Sequence, residues 1–87
     1  MGVIKVIFRK IRNKATKQWN VVAFFPDTIS RGFMDSYEHI GQHSLAHIGF
    51  YHDCKLCKED EYRELLAELT EVYRGRTLKV VKKITYK

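Results

Sequence analysis

Lys58-Glu59-Asp60-Glu61-Tyr62-Arg63-Glu64-Leu65-Leu66-Ala67-Glu68-Leu69-Thr70-Glu71-Val72-Tyr73-Arg74 is the stretch on which the reading of the fold turns. Tyr62, Leu65, Leu66, Leu69, Val72 and Tyr73 recur at spacings of three and four, so a helix over Lys58–Arg74 gathers them into one apolar stripe. Glu59, Asp60 and Glu61 fall in the first turn, where carboxylates favour the positive end of the helix dipole. Glu64, Glu68 and Glu71 mark the wet side, and Gly75 follows where a left-handed residue ends a helix. Such a stripe needs a surface to cover, and the flanking segments supply one.

On the N-terminal side, Val3–Arg12 reads as a strand. Ile4, Val6 and Phe8 share one face; Val3, Ile7 and Ile11 share the other with Lys5 and Arg9. Asn13–Gln18 is a polar, basic loop, and Trp19–Phe25 is a second strand stopped by Pro26, which has no N–H for a ladder. The two form a hairpin. Asp27–Asp35 reads as a loop anchored by Phe33 and Met34, Tyr37–Ile40 as a short third strand, and Gln42–Ile48 as a helical turn edged by Gly41 and Gly49. Thr77–Tyr86 is the last strand. The expected fold is therefore one α+β domain over residues 1–87. It has a small, mainly antiparallel sheet in the order β-β-(β)-α-β, covered on one face by a single amphipathic helix. The other face then meets solvent, the 27–57 segment or a second copy, and a homodimer is the expectation that follows.

Charge is distributed unevenly. Residues 1–26 carry six Lys or Arg and no acid, residues 72–87 another six and no acid, and residues 27–71 all ten acids with four bases. The ends hold +12 and the middle −6, which together give the net +6 of the 87 residues. Pairing the ends in one sheet makes the sheet basic and the helix acidic, a layout that attracts a polyanion or an acidic protein surface. The competing reading is internal neutralisation, with lysines guarding the sheet edges. Val3-Ile4 is interrupted by Lys5, so no secretory signal is read, no apolar run approaches a membrane span, and a reducing cytoplasm is the expected compartment.

Three constellations bear on chemistry. Ser36-Tyr37-Glu38-His39-Ile40-Gly41-Gln42-His43 packs two imidazoles, an amide and a phenol into eight residues. Tyr37, His39, Gln42 and His43 are the candidates for ligand or partner binding, and His39, Gln42 and His43 for catalysis, since imidazole changes charge near neutral pH. The plainer reading is a strand end with a turn at Gly41. Cys54-Lys55-Leu56-Cys57 is a single CxxC, read as two reduced cysteines without a cofactor. The alternative is zinc held by Cys54, Cys57, His47 and His52, with His39 and His43 as further donors in principle; a dithiol redox pair is a third reading. Arg9, Lys10, Arg12, Lys14, Lys17 and Trp19 set basic residues beside an aromatic, the pattern of single-strand binders. No nucleophile elbow or phosphate-binding glycine loop occurs, so a non-catalytic binding module is favoured over an enzyme.

Val6-Ile7-Phe8-Arg9-Lys10, Val22-Ala23-Phe24-Phe25-Pro26, Ser36-Tyr37-x-His39-Ile40-Gly41-Gln42-His43, Glu61-Tyr62-x-x-Leu65-x-x-Glu68-Leu69 and Leu78-Lys79-Val80-Val81-Lys82 span nearly the whole chain. Together they resemble a set of short uncharacterised proteins of Bacteroides-group gut bacteria and their phages and mobile elements. The Ser-Tyr-x-His-Ile-Gly-Gln-His piece is the most specific part of the likeness. The resemblance implies no catalytic residues. The CxxC lies outside its pattern, which counts against zinc, and the association with mobile elements favours a nucleic-acid or regulatory role.

Overall fold

The computed structural model describes residues 3–38 and 42–84, with Gln42 described through its backbone alone. It is an α+β structure built on a mostly antiparallel open sheet with one main helix. Six strands, β1 Val3–Arg12, β2 Trp19–Phe24, β3 Phe33–Glu38, β4 Gln42–His47, β5 Lys55–Leu56 and β6 Thr77–Val80, join two helices, α1 Ile48–Asp53 and α2 Glu59–Val72. The path across the sheet is β4-β3-β2-β1-β5, and β6 pairs with β1 in parallel, Val3 opposite Thr77 and Val6 opposite Val80.

Strand β1 is the shared floor of two cores, because successive side chains leave a strand on opposite faces. Val6 and Phe8 enter a cluster with Ala23, Phe25, Tyr37, Leu65 and Leu69, beneath α2. Ile7 enters a second cluster with Val22, Phe24, Met34, Ala46, Tyr51, Cys54 and Ile84, beneath α1. The first cluster is tied by a parallel stack of Phe8 on Tyr62, centroids 4.5 Å apart. The second is tied by Tyr51 standing edge-on to Phe24 at 5.3 Å. Sheet cover on one face by a single helix is thus too simple. Helix α1, supplied by the 27–57 segment, and Ile84 pack against the second face.

Local chemistry explains where the elements start and stop. Arg31 and Gly32 both have positive φ, 54° and 82°, and close a two-residue turn in which Ser30 and Phe33 exchange backbone hydrogen bonds of 2.8 and 3.0 Å. That turn starts β3 at Phe33, four residues before the strand expected at Tyr37–Ile40. Gln42–His47 is a strand and not a helical turn. Ser44 and Ala46 lie opposite Ser36 and Met34 across the ladder, so the segment follows a period of two. Helix α1 begins only at Ile48, where the His47 Nδ1 accepts the Gly49 N–H at 2.9 Å. A Cβ on Gly49 would lie 3.0 Å from that same nitrogen, so the cap favours a residue without one. Helix α2 opens with the Lys58 N–H donating to Glu61 Oε1 at 2.8 Å and is left through Gly75 at φ 89°. Strand β6 ends at Val80 instead of continuing to Tyr86. Val81 makes a last bond to the Val6 carbonyl, and the chain then bends so that Ile84 reaches the α1 core. Thr85 and Tyr86 lie outside the described residues.

Candidate functional site

The β1–β2 hairpin carries most of the basic candidates. Its loop is closed by Asn13, whose Oδ1 accepts the N–H groups of Ala15 and Thr16 at 2.8 and 3.2 Å. Asn13 also bonds Gln18 and Lys17 through its backbone, and Lys17 takes a positive φ of 59°. Lys14 and Lys17 are therefore presented from a held loop. Arg12 stands opposite Trp19 across the ladder, so the two share a face. Lys10 stands opposite Lys55 on β5, and both ammonium groups approach the Trp19 ring, at 5.0 and 5.6 Å from its centroid. Trp19 is 46 % exposed.

Electrostatics divide this surface. Lys10 is paired with Glu61. The Lys10 ammonium, with the Lys58 backbone N–H, holds the Glu61 carboxyl below its ordinary pKa. Arg12, Lys14, Lys17 and Lys55 form no ion pair among the described residues. On the helix side of Trp19 lies a cleft of about 380 Å³ lined by Asn20, Glu38, Glu61, Glu64 and Leu65. A polyanion can therefore approach the ring from the hairpin and β5, and is repelled from the helix.

Arg9 is separated from this set. As the neighbour of Lys10 in a strand it points to the opposite face, and its guanidinium lies 4.5 Å from the Tyr51 ring centroid beneath α1. The sequence grouped Arg9 with Lys10 because both are basic. The pleat parts them.

The histidine-rich stretch behaves differently. Tyr37 is 1 % exposed and its hydroxyl donates to Glu68 on α2. His43 lies exposed beside it, its ring 4.6 Å from Tyr37 and its Nε2 3.3 Å from the Tyr73 hydroxyl. Tyr37 and His43 thus join β3 and β4 to α2 through an aromatic contact and hydrogen bonds. His39, together with Ile40 and Gly41, lies outside the described residues, as does the Gln42 side chain.

Cys54 and Cys57 face different cores, Cys54 beneath α1 and Cys57 beneath α2, with the two residues of β5 between them. His47 caps α1 and His52 lies in its last turn. Among the described residues no three His, Cys, Asp or Glu side chains gather about one point. Burial, above all, pushes both thiols up to about 11 from an ordinary 9.0. At pH 8 this reduces the thiolate population about 100-fold, and the greater nucleophilicity of a more basic thiolate returns about 10-fold. Cys57 should therefore react with iodoacetamide about 10-fold more slowly in the native protein than in the urea-unfolded chain, and buried Cys54 more slowly still. The native rate should keep rising with pH toward 11. A native rate that levels off near pH 9 would show the thiols to be ordinary.

Sequence reasoning missed Lys55. Its place beside Trp19 depends on the β1–β5 pairing, which joins residues far apart in the chain and leaves no local signal. No helix among the described residues is long and apolar enough to cross a membrane. Comparison with known family profiles, with curated proteins and with solved structures finds no match.

Proposed function

We propose that this protein is a non-catalytic binding module that takes single-stranded nucleic acid along the β1–β2 hairpin. The observation that carries the reading is the half-exposed Trp19 ring, set among Arg12 and Lys55 and beside Lys14 and Lys17 of a loop held by Asn13. An aromatic face beside backbone-neutralising cations binds a strand by stacking a base while the lysines and arginine meet phosphates. In this reading contacts to phosphate dominate and sequence preference is slight.

Trp19 is the one tryptophan of the chain, so its fluorescence reports on the site directly. A short single-stranded oligonucleotide should quench it. If Arg12, Lys14, Lys17 and Lys55 each neutralise one phosphate, the slope of log affinity on log salt is about −2.8, a loss of about 50-fold between 50 and 200 mM salt. Arg12→Ala with Lys14→Ala should halve that slope on every sequence. Trp19→Ala, followed by anisotropy of a labelled oligonucleotide, should weaken binding by about 5- to 150-fold, the worth of one stacked base. Absence of binding at 50 mM salt, or binding that leaves the tryptophan emission unchanged, would overturn the reading.

A further inference from the structure

A second cleft, of about 300 Å³, opens on the opposite side of the sheet between α1 and the segment after β6, and is lined by Arg9, Tyr51, His52, Lys83 and Ile84. Among the described residues no carboxylate lines it. Arg9 is partly buried there and donates to three neutral oxygens: the Tyr51 hydroxyl at 2.8 Å, the Lys82 carbonyl at 3.1 Å and the Cys54 carbonyl at 3.4 Å. Its buried Nε–H has no partner, and it forms no ion pair among the described residues. A guanidinium taken partly out of water without a counter-charge is costly, and carbonyl dipoles offset only part of that cost.

The hydroxyl of Tyr51 sharpens the point. Tyr51 is 2 % exposed. Its oxygen accepts from Arg9 and, at 3.2 Å, from the backbone N–H of Ile84. A phenol has one proton to give. Both bonds it makes are accepted ones, so its own O–H is left to donate and meets no protein acceptor among the described residues. The cleft thus offers a phenolic O–H and the charge of Arg9, with an imidazole and the Lys83 ammonium at its rim, and no side-chain carboxylate to receive them. What completes such a set is an acceptor that is negatively charged and carries several oxygens.

We propose that this cleft binds a small oxyanion, the phosphate group of free phosphate or of a small phosphomonoester. The phosphate oxygen accepts the Tyr51 O–H, Lys83 and His52 close over the outer oxygens, and Arg9 beneath supplies the balancing charge. The cleft and the hairpin lie on opposite faces of β1, so this inference does not rest on nucleic-acid binding.

The test is a titration of ¹⁵N-labelled protein with inorganic phosphate and, separately, with glycerol phosphate, against sodium chloride at matched ionic strength. The amides of Lys83 and Ile84 should shift saturably, with a dissociation constant on the order of 1 mM, as a few charge-assisted contacts provide. Lys83→Ala, at an exposed position, should weaken binding about tenfold or more. Tyr51→Phe, checked for folding by its spectrum, should weaken it as well, whereas Trp19→Ala should leave it unchanged. Tighter binding of the monoester would identify an organic phosphate as the ligand; equal binding would identify free phosphate. Shifts that chloride reproduces, that do not saturate, or that persist in Lys83→Ala would overturn the proposal.

Discussion

Tyr51→Ala should lower the free energy of unfolding by about 3–5 kcal/mol, the range for removing a large buried aromatic. The ring is the centre of the core beneath α1, packed against Phe24, and its hydroxyl receives Arg9 and the Ile84 N–H. Removing it opens a cavity and strips two donors of their acceptor. Tyr51→Phe separates the two effects. It keeps the ring and deletes only the hydroxyl, so it should cost about 1–3 kcal/mol for the donors left unsatisfied. Urea unfolding measures both. A loss under about 0.5 kcal/mol for the alanine variant, in the range of surface substitutions, would mean that α1 does not cover the second face.

Leu69→Ala should cost about 2–5 kcal/mol by the same measurement, because Leu69 is fully buried between α2 and the sheet. Leu66, also on the apolar stripe, is only partly buried against that cluster and should cost less. Val72 is 46 % exposed, and Val72→Ala should stay within about 0.5 kcal/mol. A cost that fell on Leu66 or Val72 in place of Leu69 would rotate the helix away from the face described.

The long elements were legible because their periodicity is long. Helix α2 repeats its apolar stripe over four turns, and β1 alternates over ten residues, so Val6 with Phe8 and Ile7 with Ile11 could be sent to opposite faces from spacing alone. The middle was not legible. Helix α1 is six residues long with Gly49 inside it, too short for a period to show, and its stability comes from packing Tyr51 and not from propensity. The β3 start depends on two consecutive residues of positive φ, and arginine gives no hint that it will take one of them. Of the hairpin surface, Arg12, Lys14, Lys17 and Trp19 were visible as a cluster. That Lys10 is paired, that Arg9 faces away and that Lys55 joins them all follow from tertiary pairings.

The parallel pairing of β1 with β6 has a kinetic meaning. Arg12 and Trp19 meet across seven residues, whereas Val3 and Thr77 meet across seventy-four. Closing the longer span costs about 2 kcal/mol more chain entropy. The two ends of β1 are therefore expected to enter the sheet at different times. The hairpin end is expected to close first, and the other end once α2 has docked and brought Thr77–Val80 to its side. Formation of the whole sheet is then expected to be limited by the long-range arrival of β6 beside the N-terminal end of β1, and not by the turn that begins the hairpin.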